Sequence, residues 1–292
     1  MKFLNAGKFY EADVTILGGD MTGKAMIPLL PKDGGYEASF GGTHWKESAD
    51  KVGDLEKMIR NRGYYPYRTT PEEVEQLRAD PKKMDALFLQ LMTEGMKRWM
   101  QIADGKLKES NIKCFVCPGN DDVPEIDGII QQSKTVVNAS DRVVSVDSNH
   151  EMISLGWTNP SPWKSFKECS EDELRVKIEN LASQLKDVKS SIFNLHAPPY
   201  GTGIDEAPEI DATLKQSSRF SAPVGSTAVY DSIVKYGPLL GLHGHIHEAK
   251  GFTKVGHTLC INPGSTYERG ALLGVIVEFS GATVDKYSPV VG

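Results

Sequence analysis

The stretch "GLHGHIHEAKG", residues 241–251, places His243, His245 and His247 at alternate positions among glycines. They are three of the seven histidines in a 292-residue chain. An extended strand sends residues i, i+2 and i+4 to one face. The preceding "YGPLLGL" (236–242) is apolar and turn-forming, so 238–243 reads as a buried strand whose end carries the histidines. Two readings compete: hydrogen-bonded histidines at a strand end, or ligands to a metal. For a lone histidine the first is the better reading. Three alternating rings among glycines, which let backbone come close to whatever the rings hold, favour the second.

Composition narrows the classes. The chain is long enough for a large core, and 39% hydrophobic with 25% charged residues is ordinary for a globular protein. A net charge of -6 argues against a general nucleic-acid binder and leaves room for a nucleotide-sized substrate. No apolar run approaches the ~18–20 residues that span a bilayer, and no signal peptide is visible, so a cytoplasmic protein without a membrane partner is expected. Cys114 and Cys117 form a C-x-x-C within "IKCFVCPGN", which reads as a strand. An offset of three puts their thiols on opposite faces, which suits two buried reduced cysteines better than a redox or zinc pair.

The rest of the chain supplies further polar strand ends. "ADVTILGGD" (12–20) is an apolar run stopping at Asp20, and "NIKCFVCPGNDD" (111–122) is a second ending in Asn120, Asp121 and Asp122. "SSIFNLHAPPYGTG" (190–203) is a third, carrying His196. Between the first two, residues 25–42 read as a hairpin and Ser48 to about Ile102 as mostly helical, broken at "GYYPYRTTP" (63–71), where Thr70-Pro71 reads as a helix start. This stretch, about 25–107, reads as an insertion or cap. "SEDELRVKIENLASQLKDV" (170–188) is an amphipathic helix opened by Ser170, and "STAVYDSIVKYG" (226–237) a helix closed by Gly237. Ligands gather at the carboxyl edge of strands in layered α/β folds.

In order along the chain, "GGD" (18–20), "PGNDD" (118–122), "LHAPP" (195–199), "GHIH" (244–247) and "INPGS" (261–265) resemble the motifs of the calcineurin-like metallophosphoesterases. The resemblance covers about 12–24 and 111–287. It implies an α/β fold, a four-layer α/β/β/α sandwich, forming one domain over 1–292 with the insertion. It also implies two divalent ions drawn from Mn, Fe, Zn, Ni or Co. By the same carry-over Asp20 bridges the ions, Asn120, His196 and His245 complete one of them, and His247 binds the other. The implied activity is hydrolysis of a small phosphomonoester or phosphodiester by metal-bound hydroxide.

The sequence departs from the pattern in three places. No D-x-H precedes Asp20, and the chain opens within the helix that would follow that first strand, as a start placed at an internal methionine would give. Asp121 stands where the pattern has the histidine that contacts phosphate, so it is the expected catalytic acid. "GDMTGK" (19–24) lacks the usual second acid. The first two departures favour a second reading, a non-catalytic metal-binding or protein-binding scaffold on the same fold.

Overall fold

The computed structural model describes residues 2–210 and 216–292. In chain order the first elements are α1 (Lys2–Phe9), β1 (Val14–Leu17), β2 (Met26–Lys32), β3 (Gly35–Phe40), β4 (Thr43–Ser48), α2 (Val52–Asn61), β5 (Tyr65–Arg68), α3 (Pro71–Ala79) and α4 (Pro81–Leu107). There follow β6 (Lys113–Val116), α5 (Glu125–Ile130), β7 (Val136–Asn138), β8 (Arg142–Ser145), β9 (Glu151–Leu155), α6 (Glu171–Ala182) and β10 (Ile192–Leu195). The chain continues through β11 (Glu206–Ile210), β12 (Gln216–Pro223), α7 (Thr227–Tyr236), β13 (Leu240–Leu242), β14 (Gly251–Val255) and β15 (Thr258–Asn262), and ends with β16 (Leu273–Ser280) and β17 (Thr283–Val291). The architecture is mixed α/β, with several small sheets and packed helices.

Two compact units divide the chain. The first comprises Met1–Met21, Gln101–Ser265 and Leu272–Gly292. Its strands form a three-stranded parallel sheet in the order β1-β6-β7 and a six-stranded sheet in the order β14-β15-β13-β10-β9-β8. In the larger sheet β9, β10, β13 and β15 run parallel. Strands covered on both faces need apolar residues in both orientations, and β10 (IFNL) is buried at every position. Ile192 joins Phe115, Met152, Leu240 and Leu259 in a core shared with the smaller sheet. Phe193 and Leu195 face the opposite way and pack with Leu174 and Ile178 of α6 and Val229 and Ile233 of α7.

The helix termini follow their sequence signals. Ser170 and Glu173 form a reciprocal capping box on α6, and Gly237 closes α7 at φ 55°, a left-handed conformation that glycine adopts without steric cost. The four cysteines are free, with Cys114 and Cys117 buried in or beside β6. Burial pushes the Cys117 thiol up to about 12, so neither redox nor metal chemistry is favoured there.

The second unit comprises Thr22–Met100 and Thr266–Ala271. Its sheet has the order β4-β3-β2-β5. Ile27, Leu29, Phe40, Leu55 and Ile59 form its own core beneath α2. The break expected in the helical stretch at "GYYPYRTTP" holds a strand, Tyr65–Arg68, which pairs parallel with β2. The "YYPYR" aromatics are structural here. Tyr65 packs edge-on against Phe88 with ring centroids 5.7 Å apart, and its hydroxyl accepts the Gly23 N–H at 2.8 Å. Thr70 caps α3 by accepting from the Glu73 N–H at 3.3 Å.

Candidate functional site

The turns after β1, β6, β10 and β13 meet at one edge of the first unit. Asp122, fully buried, ties the first two together, because its Oδ2 accepts the Gly119 N–H at 2.7 Å and the Met21 N–H at 2.9 Å. The Asp121 N–H donates to Asp20 Oδ1 at 3.2 Å. A Cβ at Gly119 would stand 2.5 Å from Asp20 Oδ1 and 2.8 Å from His196 Nε2, so glycine is required by close approach. Asp20 (φ 49°) and His245 (φ 63°) both hold left-handed backbone, which strains any residue with a Cβ. Such outliers persist only where surrounding structure fixes them.

Asn120 is the hub of the cluster. Its Nδ2 donates to Ser165 Oγ at 2.5 Å and Asp121 Oδ1 at 3.1 Å. That leaves Oδ1 turned toward the histidines, 3.1 Å from His196 Nε2 and 2.9 Å from His245 Nδ1. His196 Nδ1 lies 2.9 Å from the Gly18 carbonyl. Its Nε2 lies 3.4 Å from Asp20 Oδ1, while His247 Nε2 is 3.9 Å from Asp20 Oδ2. Burial alone would lower the His196 pKa, but the adjoining Asp20 carboxylate and the Gly18 carbonyl outweigh it and raise the value.

All six residues singled out from the sequence therefore lie in one neighbourhood, five joined by short polar contacts and His247 at 3.9 Å from Asp20. Their expected chemistry is corrected. Among the described residues, no three His, Cys, Asp or Glu side chains are placed to hold a metal ion. A metal needs nitrogen lone pairs aimed at a common point. Here His196 Nε2 and His245 Nδ1 both face an amide oxygen, which only accepts, so each serves as an N–H donor. With Nδ1 also facing a carbonyl, both ring nitrogens of His196 are engaged by oxygens beside the Asp20 carboxylate. The donor set fits neither the pair of Mn, Fe, Zn, Ni or Co ions nor a single bound metal. With the ions go the metal-dependent phosphoesterase activity and the small phosphorylated substrate they would have held.

The alternating histidine row is corrected as well. β13 ends at Leu242, before any of the three. The positive φ of His245 turns the backbone, and the Ile246 N–H bonds the Gly244 carbonyl at 2.6 Å. The His243 ring consequently parts from the other two. His243 is buried and its Nδ1 lies 2.9 Å from the Leu195 carbonyl and 3.1 Å from that of Ala197. Burial lowers its pKa to about 4 against the pull of those carbonyls.

Sequence reading missed the loop from Trp157 to Cys169. It reaches the cluster through Ser165 and through the Lys167 N–H, which donates to the Asn120 carbonyl at 3.2 Å. Glu168 stiffens it by accepting from the Ser161 and Ser165 hydroxyls, each at 2.6 Å. Lys167 is buried and pairs with Asp127 at 3.4 Å. The available signal was "SPWKSF" (161–166), two aromatics among serines in a stretch with no strand or helix period.

No protein-family model matches this sequence. An uncharacterized protein of Methanocaldococcus jannaschii is 27% identical over 170 residues, which cover 56% of this chain and 71% of that protein. A crystal structure of a Thermus thermophilus protein is similar at 15% identity and a TM-score of 0.43, over 62% of this chain and 73% of that one. A second crystal structure covers 82% of this chain and 90% of its own at 17% identity and a TM-score of 0.45. These are distant likenesses, and membership of the calcineurin-like class is not established by them. No helix among the described residues is long and apolar enough to cross a membrane.

Proposed function

We propose that this chain is a protein-binding module, and that Asp20, Asn120, Asp121, His196, His245 and His247 form the latch that holds its binding edge in shape. The observation that carries the reading is the bonding of Asn120. Its amide joins the ends of β10 and β13 to the aromatic loop through His196, His245 and Ser165. A group that bonds its neighbours in this way fixes loops. It gains nothing by opening to a small ligand, because each broken bond leaves a buried polar group unsatisfied.

The loops so fixed expose aromatic side chains. Trp163 and Phe166 are 53% and 60% exposed, and Tyr200, four residues past His196, is 45% exposed. Backbone bonds stitch these loops together. The Asn159 amide donates to the Val224 carbonyl at 3.2 Å, and the Tyr200 N–H to that of Ser226 at 3.1 Å. Asp205, fully buried, accepts the Gly201, Thr202, Gly203 and Gly225 N–H groups. Rigid, exposed Trp and Tyr are the side chains that dominate protein-binding energetics, because little entropy is lost when they are covered. The acidic net charge of -6 and the half-buried carboxylate of Asp121 favour a partner segment with a basic residue beside its apolar anchor. In this reading the three- and six-stranded sheets of the first unit are the inner layers of an α/β/β/α sandwich.

The test is comparative capture from the native host's lysate. A partner retained by the wild type and by a Val234→Ser control, but lost from Trp163→Ala/Phe166→Ala, supports the reading. Val234 is also exposed, at 59%, but lies on α7. Equal capture by all three proteins, or none by the wild type, counts against it.

A further inference from the structure

We infer that His243 is a positioning residue for His196, a role that rests on the latch proposed above. The parallel ladder between β10 and β13 ends at Asn194 opposite Leu242. One residue later the His243 N–H turns to the other neighbour and bonds the Ile261 carbonyl at 2.8 Å. The backbone then leaves through the left-handed turn at His245. Without a substitute donor, the carbonyls of Leu195 and Ala197 would lack the partner that a continuing strand provides.

The His243 ring is that donor. Its Nδ1 reaches both carbonyls, and they belong to the residues on either side of His196. The remaining bonds to the His196 main chain come from neighbouring strand ends. Its N–H donates to the Leu155 carbonyl at 2.9 Å, and its carbonyl accepts the Gly244 N–H at 3.0 Å. The peptide units that carry His196 are thus held by one ring and by the residue after it. That grip points the His196 ring at Gly18, Asn120 and Asp20. Carbonyls only accept, so the proton of His243 sits on Nδ1. Its Nε2 is then a buried acceptor, and among the described residues it has no partner. A side chain needed only for packing would carry no such orphan. The imidazole is kept for what its other nitrogen does.

Long-range proton–nitrogen spectra of the histidine rings test this without any partner, so the result is independent of the protein-binding reading. His243→Leu removes the donor, and His243→Gln restores one. The expected result is displaced and broadened His196 ring signals in His243→Leu, a return toward the wild-type pattern in His243→Gln, and unchanged His150 signals in both. His196 signals that stay in place in His243→Leu, or that Gln fails to rescue, overturn the inference. If neither variant folds, the wild type decides: a slowly exchanging downfield Nδ1 proton on His243 is required, and a spectrum showing the Nε2-protonated tautomer refutes it.

Discussion

At the residue scale, Asn120 does more than any other side chain to define the site. Replacing it with Leu keeps the bulk and removes the acceptor shared by His196 and His245. Each ring N–H left unsatisfied costs about 1–3 kcal/mol, so urea denaturation at neutral pH should show a loss on the order of 2–5 kcal/mol. Asn120→Asp retains an acceptor and should lose less. The pH dependence follows from His243. Its folded-state pKa of about 4 lies below the ordinary histidine value, so the unfolded chain takes up a proton first as the solution is acidified. Stability from this group is complete above about pH 6.5 and falls as pH drops toward 4, by on the order of 3 kcal/mol. His196 has the opposite sign: its raised pKa stabilises at low pH, and that contribution is lost as pH rises through the folded value. Denaturation midpoints measured from pH 7 to 4.5 should therefore be higher at the acidic end, relative to pH 7, in His243→Gln than in the wild type.

At the element scale, signals carried by a few adjacent residues were legible in the sequence. Ser170 with Glu173 announced α6, Gly237 ended α7, and the apolar runs before Asp20, Asn120 and His196 became β1, β6 and β10. Ser170→Ala should cost about 1 kcal/mol by removing the cap, read as a small fall in the thermal midpoint. What the sequence hid depends on backbone turns and distant partners. A period-two row of histidines cannot reveal that His245 takes a positive φ. β5 is four residues with a central proline, and it becomes a strand only because β2 lies beside it. The residues of the site were legible, since polar types stood at the ends of apolar runs. Their chemistry was not, because the same imidazoles serve as lone-pair ligands or as N–H donors, and a sequence does not show what each ring nitrogen faces.

At the scale of the whole molecule, the second compact unit has a hydrophobic core of its own. Leu55 is 1% exposed at the centre of the second unit's core. Leu55→Ala should cost about 2–5 kcal/mol there. Native-state hydrogen exchange should show β2 and β3 losing protection while β9 and β10 keep theirs; equal loss in both sets would mean a single cooperative unit. The central claim is that the strand-edge cluster holds protein loops and not metal. It is tested most directly by stripping the purified protein with chelator, offering Mn2+ and Zn2+ in excess, and determining bound metal per chain by mass spectrometry after gel filtration. Far less than one ion per chain is expected in the wild type, and the same in Asp20→Asn. Two ions per chain that disappear in Asp20→Asn would contradict it.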